Sequence, residues 1–398
     1  MTRENLRLAR IALMLIPLLG CAGDGTVIAD GKQAAASQRV LRVGPGQKYA
    51  KPSQAAWSAR NGDVIEIAAA VYERDAAVWI QNNLTIRGVG GRAHLRANGA
   101  NAEDKAIWVI KGNSTTIENI EFSGASVGDH NGAGIRQEGT GLTVRNCYFH
   151  DNEEGILTGE NRASEILIEH SEFARNGYGD GYTHNLYIGE VKRFTLRYSY
   201  VHHAVIGHNV KTRARENYIL YNRIMDEETG NSSYAIDFSN GGIAYVIGNL
   251  LQQGPNTDNY TLVSFGAEGL NNPANELYLV NNTLVNDYPE GGVFVFVKPE
   301  AGPVKIVNNL FVGQAKLLEG QGELAYNLVS EGAELRDRAR LDYRLKTKSR
   351  AIDAGANPGI ANGFDLVPRF EYVHPAEKQK RPESGALDLG GYEYQANP

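Results

Sequence analysis

Six-residue segments of one pattern recur along the chain, and their spacing restricts the fold more than any other feature. IENIEF starts at Ile117, VRNCYF at Val144, IEHSEF at Ile168 and LRYSYV at Leu196; ILYNRI follows at Ile219, VIGNLL at Val246, LVNNTL at Leu279 and IVNNLF at Ile306. Successive starts lie 27, 24, 28, 23, 27, 33 and 27 residues apart. Within each unit apolar residues alternate with others, as in a strand buried on one face. A long period built of strand–turn–strand units fits neither a helix of heptads nor an antiparallel sandwich. It predicts an all-β solenoid, a parallel β-helix whose coils stack about 4.8 Å apart.

The remaining punctuation fits one such domain over 41–395. Glycine is abundant (45) and no long window is rich in strong helix formers. Asn119, Asn146, Asn222, Asn249, Asn282 and Asn309 fall at or just before the fourth position of their segments. There they predict an internal ladder that satisfies turn backbone groups. The stretch YAKPSQAAWSARNGD predicts a short helix after Pro52, covering the open end of the solenoid as an N-terminal cap within 41–75. Beyond about residue 320 the period fades, which predicts a closing segment (about 320–395) that includes a loosely packed polar tail. Trp57, Trp79 and Trp108 precede the central coils and are expected in the core. Cys147, between strand residues, is expected to be a buried, inert thiol.

The first 20 residues are a targeting segment in appearance. Arg3, Arg7 and Arg10 precede the apolar run IALMLIPLLG, too short to span a bilayer. Its end, Leu18-Leu19-Gly20-Cys21, resembles the lipobox of bacterial lipoproteins. That resemblance implies a lipid on Cys21, a membrane anchor through it, a flexible tether over 21–40 and an envelope location, with Ala22 favouring the outer membrane. The formal charge of −6 gives no net basic surface for nucleic acid. A monomer is expected.

VGPGQKYAKPSQAAWSARNGDVIEIAAAVYER, the coil pattern, and the late DYRLKTKSRAIDAGAN and GALDLGGYEY resemble right-handed parallel β-helix proteins of the pectate lyase superfamily. The resemblance runs over roughly residues 40–395. It implies polysaccharide lyases, hydrolases and epimerases, and also adhesin and phage-tail folds.

Near copies, HNLYIG from His184 and HNVKTR from His208, point to where chemistry would sit. Aligning successive coils puts Ile135, Ile156, Leu186, Val210, Ile236 and Val263 in one inward column. Arg136, Leu157, Tyr187, Lys211, Asp237 and Ser264 then face outward. Asn185 and Asn209 are expected on that same face before the column, with Gly189, Arg213 and Ser239 after it, and His184 beside His208. Gly181, Gly189, Gly207, Gly241 and Gly242 are expected to keep the surroundings open, as a groove for an extended chain requires.

Such a patch suits β-elimination from a uronic acid. That reaction needs a cation on the carboxylate, a base for the C5 proton and an acid for the leaving oxygen. Lys211 as base with Tyr187 as acid is one assignment; Tyr187 or His208 as base with Arg213 on the carboxylate is another. His184, Asn185, Asn209, Arg136 and Ser239 are then expected to bind an acidic polysaccharide. No cofactor is demanded, although Asp237 could take part in a Ca²⁺ site. HNVKTRARENYILYNRI is also similar to the catalytic coil of the chondroitinase B and alginate lyase family. On that resemblance Lys211 is the base and Asn217 and Asn222 are coil asparagines. The family's arginine on the next coil would fall near Ser239, where this chain has none, leaving Arg213 as its substitute. A C5-epimerase would use the same proton abstraction. A glycoside hydrolase needs a second carboxyl group beside Asp237, for which Glu138 and Asp180 are the candidates. A non-catalytic glycan-binding or scaffold protein would need none of these groups.

Overall fold

The computed structural model describes residues 38–396. Cys21, the N-terminal targeting segment and most of the tether lie outside the described residues. The chain winds through three parallel sheets of twelve, eleven and ten strands, here the first, second and third in order along each coil. One coil shows the plan. Leu142–Arg145 lies in the first sheet, Tyr148–His150 in the second and Glu154–Thr158 in the third, and Asn161–Glu169 returns to the first one rung on. This is a parallel β-helix, as the period predicts. The interior is a stack of like side chains, with Phe122, Phe149 and Phe173 rings 4.9 and 4.8 Å apart. Trp79 and Trp108 are buried there, but Trp57 is 92% exposed, against expectation. Among the described residues no helix is long and apolar enough to cross a membrane.

The bend from the first to the second sheet uses two adjacent positions with different jobs. The first takes a left-handed conformation: Asn119 at φ 59°, Asn146 at 51°, Asn281 at 52° and Asn308 at 60°. Asparagine tolerates that region better than most residues. The second position points inward, and there Asn222, Asn249, Asn282 and Asn309 form a buried ladder. Asn249 shows its bonding: Nδ2 donates to the Ile219 carbonyl at 2.8 Å and to Asn282 Oδ1 at 2.9 Å. Its Oδ1 accepts from the Asn222 N–H at 2.8 Å. Asn119 and Asn146 therefore do not belong to the ladder; in their coils Ile120 and Cys147 take the inward position. Burial pushes the Cys147 thiol up to about 12, which keeps it protonated and unreactive.

The helix Pro52–Ser58 packs against the first strands, with Ala55 and Ala56 in the main core. Its Ser53 N–H donates to Asp75 Oδ2 at 3.0 Å. At the other end, residues 335–380 form three antiparallel hairpins. They and the residues after them run along the flank of the solenoid instead of lying loose. Tyr343, Tyr372 and Leu389 cover Tyr200, Leu250 and Leu310, while Ala361 and Leu366 join Tyr198, Tyr221, Tyr245 and Tyr278. Those coils carry apolar side chains on outward positions, and such surface needs a cover. The buried Arg381–Glu393 pair, 2.8 Å apart, ties the last residues down.

Candidate active site on the third sheet

The third sheet sets the expected register. Ile135, Ile156, Leu186, Val210, Ile236 and Val263 pair in sequence and are buried. Arg136, Leu157, Tyr187, Lys211, Asp237 and Ser264 pair in the same ladder one residue on. Alternation places these side chains on the outer face.

Asn185 and Asn209 do not face outward. The strands here are only three residues long, Leu186–Ile188 and Val210–Thr212, so strand alternation does not extend to the residue before them. Both asparagines lie in the corner and turn inward, fully buried. Asn185 Nδ2 donates to Asn209 Oδ1 at 2.8 Å, continuing a second ladder from Asn152 and Asn176. Ser239 is buried too, its hydroxyl donating to Asp237 Oδ2. None of the three can line a groove. Asn217, bonded to Thr212 Oγ1, and the ladder residue Asn222 are likewise structural. Several of the glycines expected to open the groove instead let coils touch: a Cβ on Gly207 would lie 1.7 Å from the Thr183 carbonyl oxygen, and one on Gly242 2.6 Å from that of Ala214.

What remains is a compact polar group. Arg213 reaches across from its strand, donating from Nε to the Tyr187 hydroxyl at 3.1 Å and from NH1 to Asn240 Oδ1, on the next coil, at 2.6 Å. Lys211 and Arg213 together grip one carboxylate. Glu268 Oε1 lies 2.8 Å from Lys211 Nζ and its Oε2 2.6 Å from Arg213 NH2. Both cations also sit over the Tyr187 ring, at 5.4 and 5.7 Å from its centroid. Lys211 pairs with Asp237 in register, and the negative charge of Glu268 adds to the burial that raises the Asp237 carboxyl. Glu138 is engaged by Lys105 at 2.6 Å, and Asp180 accepts hydrogen bonds within its own loop.

Glu268 was not foreseen. It stands on the loop 266–275, which accounts for the longest interval in the repeat, the 33 residues from Val246 to Leu279. Glu154 was also missed. It is buried and accepts the His184 N–H at 3.1 Å. Burial holds its carboxyl well above the usual range, against the opposing pull of that hydrogen bond and of Lys211 and Arg136.

Beneath the clamp lies a buried layer. The His208 N–H donates to His184 Nδ1 at 2.9 Å, so the proton of a neutral His184 ring sits on Nε2. Burial, reinforced by Lys211, pushes His208 down to about 3, and burial drives His184 well below its ordinary value. Both rings are therefore neutral near pH 7. Burial raises the Asp237 carboxyl, whose Oδ2 lies 3.5 Å from His208 Nδ1. Arg136 Nε, His184 Nε2, His208 Nδ1 and Asp237 Oδ1 are buried without a protein hydrogen-bond partner. Native proteins leave few such atoms unpaired, and concentrating four along one stretch is the mark of a site that takes water or a ligand. Asp237 does not fit calcium: its neighbours are a hydroxyl, an imidazole and an ammonium, whereas Ca²⁺ takes roughly six to eight oxygens.

No protein-family model matches the sequence, and no curated protein matches it. A solved structure does. The crystal structure of pectate lyase Pel9A aligns over 91% of this chain and 98% of that chain, with a TM-score of 0.61 and 12% identity. The chain shares the parallel β-helix fold of that structure. At 12% identity the likeness to Pel9A concerns the scaffold, and the chemistry must be read from the residues of this chain.

Glu268 makes the clamp sensitive to acid. Burial would raise its carboxyl, but the hydrogen bonds from Lys211 and Arg213 outweigh that and hold it below the ordinary carboxylate range. A depressed folded-state value contributes stability above the unfolded value, lost as pH falls through the folded one. Thermal melts from neutral to acidic pH should therefore show a smaller acid-induced loss for Glu268→Gln than for the parent. Equal losses in both would mean that the clamp contributes nothing.

Proposed function

We propose that this protein is a polysaccharide lyase that cleaves a uronic-acid-containing glycan by β-elimination. The observation that carries this reading is the grip of Lys211 and Arg213 on the two oxygens of one carboxylate, with the Tyr187 hydroxyl on the same guanidinium. A sugar carboxylate that displaces Glu268 would meet the same two cations. They would withdraw charge and acidify the C5 proton. Lys211, engaged with a carboxylate, stands where a charge neutraliser belongs. Tyr187 is then the group that exchanges protons with the sugar: as the phenolate, facing Arg213, it takes the proton from C5, the C5–H electrons form the C4–C5 double bond, the C4–O bond breaks, and the Tyr187 hydroxyl so formed returns that proton to the departing oxygen. His208 and His184, neutral and buried, support the floor of the site, and Arg136 extends its positive charge by two coils.

The polysaccharide-lyase-like scaffold supports an extended acidic polymer as substrate. The Leu18-Leu19-Gly20-Cys21 pattern supports lipidation at Cys21 and work at the bacterial envelope.

The test is incubation with a panel of polyuronates, with and without Ca²⁺. Ultraviolet absorbance from unsaturated uronate is followed while reducing ends are counted. Absorbance and reducing ends rising together on at least one polymer is the expected result. Reducing ends without absorbance would mean hydrolysis. A changed uronate composition without cleavage would mean epimerisation, and silence throughout would leave a binding protein. Each of these three overturns the lyase reading.

A further inference from the structure

The outer face of the second sheet carries a cluster that the cleft chemistry does not use. His94 and Glu121 pair in register on neighbouring coils, and His150 stands on the next coil, paired with Ser123 two residues along. Glu121 Oε1 lies 3.3 Å from His94 Nδ1 and 3.1 Å from His150 Nε2. One ligand atom from each of the three falls within 4.8 Å of the others. The far ring nitrogens are both held: His94 Nε2 by Ser123 Oγ at 2.7 Å, and His150 Nδ1 by Asp151 Oδ2 at 2.6 Å. Asp151 is itself fixed by Arg175 at 2.9 and 3.0 Å.

Two features set this cluster apart from an ordinary ladder of ion pairs. A neutral imidazole has one N–H, yet both nitrogens of His150 face carboxylates. The ring therefore either carries a second proton or has a cation between it and one carboxylate. The spacing is also right. Zinc bonds of about 2.0–2.1 Å to nitrogen and oxygen give a tetrahedron with edges of about 3.3 Å, close to both distances from Glu121 Oε1. Ligating histidines almost always give their second nitrogen to a carboxylate, carbonyl or water, which orients the ring; Asp151 does this for His150. Side-chain exposures of 13%, 15% and 24% for His94, His150 and Glu121 leave a solvent path to a fourth position.

We propose that His94, Glu121 and His150 bind a divalent transition metal of the zinc type, through His94 Nδ1, His150 Nε2 and Glu121 Oε1. Asp151 and Ser123 are positioning residues. The metal would clip three successive coils together and complete its shell with water. The site lies on a different sheet from the cleft and does not depend on the lyase reading.

The experiment is titration of the full chain, first with Zn²⁺ by calorimetry and then with Co²⁺ by visible spectroscopy. One equivalent should bind, and cobalt should give the intense bands of four-coordinate geometry. His150→Ala and Glu121→Gln should abolish both signals, and Asp151→Asn should weaken binding by about 10–100-fold. Circular dichroism confirms that each variant is folded, with His94→Gln as replacement for any that is not. Absence of the cobalt bands, or binding unchanged in the folded variants, would overturn the site and leave a proton-shared His–Glu–His cluster.

Discussion

Arg213→Ala should reduce kcat/KM for unsaturated-uronate formation by about 10²–10³, the loss found when one donor to a developing anion is removed. That corresponds to about 3–4 kcal/mol of transition-state stabilisation. The size follows from what Arg213 touches: the Glu268 carboxylate, the Tyr187 hydroxyl and Asn240 on the next coil. Lysine at 213 would restore the charge but not the fork that serves all three, so Arg213→Lys should recover only a small part of the rate. Tyr187→Phe should lower kcat while leaving KM nearly unchanged, because it removes proton exchange and keeps both cations. Glu268→Gln should act in the opposite sense. With the internal carboxylate gone, the sugar has no competitor for Lys211 and Arg213, so KM falls and kcat is retained. Loss of turnover in Glu268→Gln would make Glu268 itself a reacting group and would end the picture of a displaced carboxylate. An unchanged rate in Arg213→Ala would remove the clamp from the chemistry altogether.

How far the sequence reaches can be judged from particular residues. The repeat was sufficient to align Tyr187, Lys211 and Asp237 on one face, because strand alternation holds wherever a residue lies inside a strand. It failed at Asn185, Asn209 and Ser239, which lie just outside strands of three residues, where the corner sets direction instead of the pleat. Glu268 escaped because it belongs to no repeat. The only trace of it is the 33-residue interval, and an insertion in a solenoid signals a loop over a face without saying what the loop touches. The His94, Glu121 and His150 cluster was hidden differently: the three residues are 27 and 29 positions apart, on two adjacent register columns, so no local motif joins them. Within the closing segment the polar run HPAEKQKRPESG suggests a loose tail, because its anchors, such as the buried Arg381, are few and far apart in the sequence. Periodicity speaks for the coil, and contacts between distant segments supply the rest.

The same distinction yields the largest expected effect on stability. Asn249→Ala should destabilise the fold by about 2–4 kcal/mol, since it orphans the buried Asn222 N–H at a cost of about 1–3 kcal/mol and takes a second donor from the Ile219 carbonyl. It also removes one partner each from Asn222 Nδ2 and Asn282 Oδ1. Aspartate would be no remedy, for it cannot donate to the Ile219 carbonyl when ionised and would bury a charge. The comparison is Asn119→Gly. Asn119 sits one position earlier in the bend at φ 59°, where glycine is at ease, and its side chain bonds near the surface, donating to the Gly88 and Gly91 carbonyls and accepting from Asn146 Nδ2. That variant should stay within about 1 kcal/mol of the parent. Urea unfolding followed by circular dichroism measures both, and amide exchange locates the weakened coils. Because each coil rests chiefly on its neighbours, exchange in Asn249→Ala should rise first around Asn222 and Asn282 and spread outward from there. If the two variants lose equal stability, the inward position of the bend has no special weight, and the second ladder through Asn185 and Asn209 would lose its structural rationale with it.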